Sequence, residues 1–196
     1  MLAFKNIVIL VSGCALHPIS VQPELAQVEI KKISPKIPVT VGYYIPEELL
    51  SFKLITAGSG VGDNVSFYPY KDLSVGYGQI LESIFKQVVK LPSIPDDVEM
   101  KRLGIKYVIQ PKVSVTPGGS ALSMTWPPEY FTVELISNVK NTRGILIANP
   151  KVKGHGTQQE VELLYSDFGY PGKIAMKKAL LQVPNSLIQY REYFKK

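Results

Sequence analysis

The sequence is poor in the side chains that most catalytic and metal sites need. Cys14 is the only cysteine, so the chain cannot form an internal disulfide. It has two histidines, His17 and His155, and neither an H-E-x-x-H nor a C-x-x-C motif occurs. The sequence therefore predicts a protein that is not an enzyme and that holds no metal ion or cofactor. An enzyme would need His155 beside a nucleophile such as Ser59, or beside carboxylates in a cleft.

A long apolar run is also absent. No stretch beyond Cys14 approaches the roughly eighteen apolar residues that are needed to cross a bilayer. Hydrophobic residues make up 45% of the chain and charged residues 19%, a composition typical of folded globular proteins. The length of 196 residues suits one well-cored domain better than two equal domains.

The most specific motif is Val11-Ser12-Gly13-Cys14, which directly follows a short apolar run. It resembles a bacterial lipobox, where a signal peptide is removed before a cysteine that becomes acylated. Small residues let an extended backbone enter a peptidase cleft, and the thiol is the nucleophile that receives the lipid. The resemblance implies a signal peptide over residues 1–13 and lipidation at Cys14. The alternative is a buried cysteine in an ordinary N-terminal strand.

The same resemblance implies a cellular location. Ala15 follows the cysteine, whereas an aspartate at that place retains lipoproteins of many enteric bacteria in the inner membrane. We therefore expect a protein in the outer membrane, facing the periplasm. Its membrane contact would be the N-terminal lipid, and two or three acyl chains make such an anchor permanent. Nucleic acid is not expected as a partner, because no recognition motif occurs.

The segment after the lipobox contains four prolines and no sustained periodicity. This pattern predicts a flexible, lipid-anchored tether over residues 14–38 and a domain over residues 39–196. Apolar positions recur at helical spacing over residues 74–90, with Asp72 or Ser74 as the cap, and a last helix is predicted over residues 171–190. Pro184 is expected to kink or break that last helix. Strands are predicted over residues 39–45, 52–56, 65–68, 105–115, 130–139 and 145–154.

These elements favour a single α+β domain. We expect an antiparallel or mixed sheet of about five strands, with the two main helices packed on one face. The passage Lys101 to Ile109 resembles the helix-glycine-strand passage of periplasmic and outer-membrane domains like the N-terminal domain of TolB or the secretion lipoprotein CsgG. The paired strands that follow are similar to those of auxiliary lipoproteins of ABC transport systems. The likeness covers residues 39–190 and implies a role in an envelope complex.

Two aromatic groups are candidates for partner binding. Trp126, Tyr130 and Phe131 lie in or beside a proline-rich stretch, either as interface anchors or as a cover for one end of the sheet. The second group is at the end of the chain, and it is interpreted either as a docking peptide or as a packed helix end: Tyr190, Arg191, Tyr193 and Phe194.

The net charge of +6 is unevenly distributed. Residues 140–153 carry four basic side chains and no acid, and residues 173–196 carry six against Glu192 alone. Such stretches are a face for anionic lipid, peptidoglycan or an acidic protein, or simply a solvated surface. The function that we predict is a non-enzymatic scaffold or assembly component of an envelope transport or secretion complex. The alternative is a periplasmic module that binds lipid or peptidoglycan fragments in an apolar pocket.

Overall fold

The computed structural model describes residues 18–27, 29–30, 33–56, 65–118, 130–157, 167 and 169–195. The lipobox with Cys14, and also Trp126, lie outside the described residues. The strands are β1 (Ile37–Tyr44), β2 (Leu54–Thr56), β3 (Val65–Phe67), β4 (Phe85–Leu91), β5 (Ile105–Gly118), β6 (Tyr130–Asn141), β7 (Leu146–Ala148) and β8 (Lys151–Thr157). The helices are α1 (Glu47–Leu50), α2 (Pro69–Glu82), α3 (Asp97–Arg102) and α4 (Tyr170–Ile188), and a 3-10 turn follows over Arg191–Lys195.

Two kinds of strand pairing meet in the six-stranded main sheet, which has the order β4-β1-β5-β6, with β7 and β8 both pairing with β6. Strands β4, β1 and β5 are parallel to one another. From β5 onward every pairing is antiparallel. A separate small sheet is formed by β2 and β3. The prediction of one α+β domain with a mixed sheet is confirmed, with six strands in the main sheet instead of about five.

The largest error of the sequence analysis is at the end of α2. The predicted helix over residues 74–90 ends at Glu82, and residues 85–91 form the edge strand β4. The apolar positions Phe85, Val88 and Val89 fit both periods, because a short apolar run does not distinguish a strand from a helix. The parallel pairing of β4 with β1 decides between them.

The connections explain why the helices lie on different faces. The chain passes from β1 to β4 through α2, and then returns across β1 to β5 through α3. Right-handed crossovers in opposite directions place their helices on opposite sides of a sheet. Accordingly α2 contributes Leu73, Tyr77 and Ile80 to the main core, whereas Met100 of α3 belongs to a separate small cluster.

Helix α4 lies on the same face as α2 and covers the antiparallel strands, so the prediction of two main helices on one face is confirmed. Pro171 occupies its first turn, as expected. Pro184 was predicted to kink or break the helix. It does not break it, because α4 continues to Ile188. Val183, Pro184 and Leu187 are all buried, and this burial offsets the lost hydrogen bond.

Helix α4 approaches β8 very closely. A Cβ atom at Gly154 would collide with the carbonyl oxygen of Ala175, and one at Gly156 would collide with the carbonyl oxygen of Pro171. Both glycines lie at positions of β8 that face the helix, while His155 between them points away. The backbone of α4 therefore rests directly on this strand, and the glycines are what permit the contact.

Candidate functional site

The described part of the chain begins at Pro18, four residues after Cys14. Pro18 forms an isolated bridge with Ser66 of β3, and the Ile19 amide donates to the Ser66 carbonyl oxygen at 2.8 Å. Val21 is completely buried. Four extended residues span at most about 14 Å. A lipid on Cys14 would therefore hold this end of the domain close to a membrane.

A groove between α2 and α4 accommodates the segment after Pro18. Gly76 of α2 is in contact with Leu25, and Gly172 of α4 is in contact with Val21, so closely that a Cβ atom at either glycine would collide with these side chains. Gly169 lies equally close to the carbonyl oxygen of Ser20. The described part of the predicted tether is thus packed on the domain, which corrects the expectation of a flexible segment up to Pro38.

Asp72 fastens this segment. Its carboxylate accepts a hydrogen bond from the Val21 amide at 2.8 Å and one from the Ser20 hydroxyl at 3.3 Å. Burial raises the pKa of the Asp72 carboxyl, and the two hydrogen bonds oppose that rise. The prediction that Asp72 or Ser74 caps the helix is wrong, because α2 begins at Pro69 and Tyr68 is in the capping position. Sequence alone gave no signal for the role of Asp72.

An ion pair fixes the end of the same segment. Lys177 Nζ of α4 lies 2.7 Å from Glu29 Oε1. The hydrogen bond from Lys177, together with one from the Ala26 amide, lowers the pKa of Glu29. The N-terminal segment is therefore held by α2 at its start and by α4 at its end.

The second feature is the sheet face that looks away from α2 and α4, over the antiparallel strands. Side chains alternate between the two faces of a strand, so this face is set by the strand period. We call it the basic sheet face, and its members are exposed or half-buried: Lys112, Ser114, Thr116, Thr132, Glu134, Ile136, Asn138, Lys140, Lys151, Lys153 and His155.

The basic sheet face carries four lysines and a single carboxylate among the described residues. Ile136 is paired with Lys112 on one side and with Lys151 on the other, so one row crosses all three strands. Glu134 forms an ion pair with Lys151 at 2.7 Å, and Lys140 donates to Gln110 at 2.9 Å. The ammonium groups of Lys112 and Lys153 have no hydrogen-bond or ion-pair partner in the described part of the chain.

Of the first aromatic group, Tyr130 lies at one end of this face. Tyr130 is 38% exposed and lies against His155, with ring centroids 5.5 Å apart. Phe131 is completely buried and packs edge-on against Phe67. The prediction of Phe131 as a partner-binding anchor is therefore wrong, because strand alternation turns it into the core beneath α4. Tyr130 remains accessible, and Trp126 lies outside the described residues.

The second aromatic group is mostly a packed chain end. Phe194 is 3% exposed and contacts the rings of Phe85 and Tyr107 edge-on. Arg191 donates to the Pro35 carbonyl oxygen at 2.9 Å, and Tyr190 packs on the core. The prediction of Phe194 as an accessible anchor is therefore wrong, because the residue is buried. Tyr193, by contrast, is 54% exposed.

The two aromatic groups are far apart. Tyr130 is paired with Gly118, at one end of the β5–β6 ladder. Phe194 contacts Tyr107, which is paired with Asn141 at the opposite end of that ladder. The two pairs are eleven residue steps apart, which corresponds to about 37 Å along the strands. The structure therefore does not combine the two predicted groups into one binding surface.

His155 lies on the exposed surface. Its Nδ1 is 3.2 Å from the Thr132 hydroxyl, and none of its contacts among the described residues is a carboxylate. In the same part of the chain, no group of three or more His, Cys, Asp and Glu side chains could hold a metal ion. No described helix is long and apolar enough to cross a membrane.

A cleft of about 390 Å³ lies beside the end of α2. Five of the six described residues that line it carry polar side chains: Gln27, Ile30, Lys36, Gln79, Glu82 and Ser83. Between sheet and helices, by contrast, side chains such as Leu73, Tyr77 and Met176 are completely buried. The cleft therefore does not lie between the sheet and the helices, where the ligand-binding alternative predicts an apolar pocket.

Comparison with known proteins adds one structural likeness. Neither a protein family nor a curated protein matches the chain. Among solved structures, the chain is similar to an uncharacterized lipoprotein, lipoprotein B from Nitrosomonas europaea. The two share 10% sequence identity, and the match covers 83% of this chain and 96% of that one with a TM-score of 0.37. A TM-score this low does not establish a common fold.

Proposed function

We propose that this protein is a lipid-anchored, non-enzymatic component of the bacterial cell envelope, attached through Cys14 to the periplasmic face of the outer membrane. The observation that carries the proposal is the sequence Val11-Ser12-Gly13-Cys14, which resembles a lipobox and directly follows a short apolar run. Ser12 and Gly13 are the small residues that such a site has before its cysteine, and Cys14 is the only cysteine in the chain.

Within the envelope, we propose that the domain serves as a scaffold or assembly component of a transport or secretion complex. Two observations support a binding role over a catalytic one. The contacts of His155 within the described part of the chain are a hydroxyl and an aromatic ring, and neither a carboxylate nor a nucleophile poised for catalysis is among them. The exposed side chains of the antiparallel half of the sheet form a broad polar surface with an excess of lysine, which suits contacts with other molecules.

Metabolic labelling with a fatty acid tests the anchor. The full chain is expressed in a bacterium beside its Cys14→Ser variant, with Ser12→Thr as a control that keeps the thiol. The native chain should incorporate the label and sediment with membranes, while Cys14→Ser should do neither. Mass spectrometry of the mature protein should show a chain that begins at an acylated Cys14. An unmodified chain that still carries Met1 would refute the proposal.

Pull-down from detergent-solubilised envelopes tests the scaffold role. A stable complex with envelope proteins should be recovered with the native chain, and it should persist after a salt wash. A monodisperse monomer without partners would argue against this part of the proposal while leaving the anchor intact.

A further inference from the structure

We propose that the basic sheet face is a docking surface for the anionic phospholipid head groups of the membrane that anchors the protein. The inference rests on the proposed lipid anchor and adds an orientation to it: the antiparallel half of the sheet faces the bilayer. Its three supports are the charge of the face, the spacing of its lysines, and the position of the N-terminal segment.

The charge of the face matches anionic lipid. Lys112, Lys140, Lys151 and Lys153 oppose only Glu134, which leaves an excess of three positive charges on the described face. Glu134 partly neutralises Lys151, but Lys112 and Lys153 are without such a partner among the described residues. A lysine near an anionic membrane surface strengthens binding about fivefold.

The spacing of the free lysines suits separate head groups. Lys112 lies opposite Ile136, and Lys153 lies opposite Glu134, so the two are two strands and two residues apart. With strands about 4.8 Å apart and a rise of about 3.4 Å per residue, their Cα atoms are about 12 Å apart. Flexible ammonium groups at this separation can each reach a different lipid.

The N-terminal segment packs on the helix side of the sheet, opposite to the basic sheet face, but at the same end of the strands as Tyr130. Val21 contacts Gly172, and an added Cβ at Gly172 would lie 3.3 Å from the ring of Phe131. Phe131 is the sequence neighbour of Tyr130, which lies against His155 at the edge of the basic sheet face. Because Pro18 is at most about 14 Å from Cys14, a lipid there would place the membrane within reach of this edge.

The tether also lowers the affinity that the face must supply. A short linker holds the domain at millimolar effective concentration over the bilayer, so a few weak electrostatic contacts are enough to orient it. Tyr130 supports the same orientation, since an exposed tyrosine ring is well suited to the boundary between head groups and water.

Vesicle sedimentation tests the proposal. The full chain with Cys14→Ser, which cannot be acylated, is mixed with vesicles of phosphatidylcholine alone or of phosphatidylcholine and phosphatidylglycerol. It should bind the anionic vesicles much more strongly, and added salt should weaken this binding. In the same background, Lys112→Gln with Lys153→Gln should reduce binding to anionic vesicles about 25-fold, the product of two fivefold effects.

The matched control is Lys53→Gln with Lys71→Gln, which removes the same charge from exposed positions in the loop after α1 and on α2. This control should keep most of the binding, and circular dichroism should show that both variants are folded. Equal binding to neutral and anionic vesicles, or equal losses in the two variants, would overturn the proposal. So would a pattern in which the sheet-face variant loses binding to purified peptidoglycan but not to vesicles.

The vesicle experiment and the labelling experiment fail independently. The vesicle test uses a chain without a lipid, so a negative result leaves acylation of Cys14 standing. Conversely, a chain that is not acylated in cells can still bind anionic vesicles through its lysines. The two results therefore separate the docking surface from the anchor.

Discussion

The parallel and antiparallel halves of the main sheet differ in how they are covered. The parallel half, β4-β1-β5, has α2 on one face, and α3 packs a small cluster of Leu91, Met100, Ile105 and Val108 on the other. The antiparallel half has α4 on one face, and on the other it exposes lysines and hydroxyls. Parallel strands need crossover helices that cover both faces, whereas antiparallel strands joined by hairpins can leave one face to solvent. The exposed face is thus a consequence of topology.

The largest expected effect comes from adding a side chain where the backbone of α4 contacts β8. Gly154→Ala places a methyl group against the backbone of Ala175 and Ala179, which cannot retreat without moving the helix. We expect the free energy of unfolding to fall by about 3 kcal/mol. Urea denaturation measures it. Lys153→Ala, the neighbouring residue on the exposed face, should change stability by no more than about 0.5 kcal/mol. Similar losses for both variants would contradict the close contact.

A smaller effect is expected where the two halves are joined. The Tyr77 hydroxyl of α2 donates to the Ser137 hydroxyl of β6 at 2.8 Å, and both groups are buried. Tyr77→Phe leaves the Ser137 oxygen without this partner and should cost about 1 to 2 kcal/mol of unfolding free energy.

The double variant with Ser137→Ala tests the same hydrogen bond. It should be more stable than the sum of the two single losses predicts, because no unpaired hydroxyl remains. Strictly additive losses, measured by urea denaturation, would show that the two groups do not interact.

Asp72 should make stability depend on pH. Burial raises its folded-state pKa above the ordinary value of 3.8, so the folded chain binds this proton more tightly than the unfolded chain. The unfolding free energy therefore decreases as the pH rises from 3.8 through the folded pKa, and the contribution is constant above it. Asp72→Asn removes this titration. As the pH rises across that range, urea denaturation should show that the wild type loses unfolding free energy relative to Asp72→Asn. A shift in favour of wild type would mean that the hydrogen bonds from Val21 and Ser20 outweigh burial.

The smallest effect is expected on the exposed face. Glu134→Gln breaks the ion pair with Lys151, in which the side chains are 35% and 55% exposed. Such pairs are screened by solvent, so the stability loss should be no more than about 0.5 kcal/mol and should vanish at high salt. The same change should increase binding to anionic vesicles about fivefold. Glu48→Gln on α1 is the matched control and should leave vesicle binding unchanged.

Local patterns predicted much of the fold. Strands β5 and β6 have strong period-2 alternation, and they lie where the sequence predicts them. Gly104 ends α3 with a positive φ of 66°, as expected for a C-terminal cap. The single strand predicted over residues 145–154 is instead divided into β7 and β8 at Pro150, whose carbonyl accepts from the Ser137 amide.

The candidate site was only partly predictable. The run of basic residues at 140–153 indicated a charged surface, and three of its lysines do lie on the basic sheet face. Lys112 joins them only because β5 is paired with β6 in one particular register. Phe131 and Phe194 were assigned to an interface on composition alone, since residue type does not reveal which side of a strand or turn faces the core.

The sequence by itself determined the resemblance of Val11–Cys14 to a lipobox, the single domain, the long strands and the excess of positive charge, because each depends on a local motif, a period or the composition. Only the tertiary structure decided that residues 85–91 form a strand, that the segment after Pro18 is packed in a groove, and that Lys112, Lys151 and Lys153 share one surface. These features depend on contacts between residues far apart in the chain, and the energies of such contacts exceed local preferences.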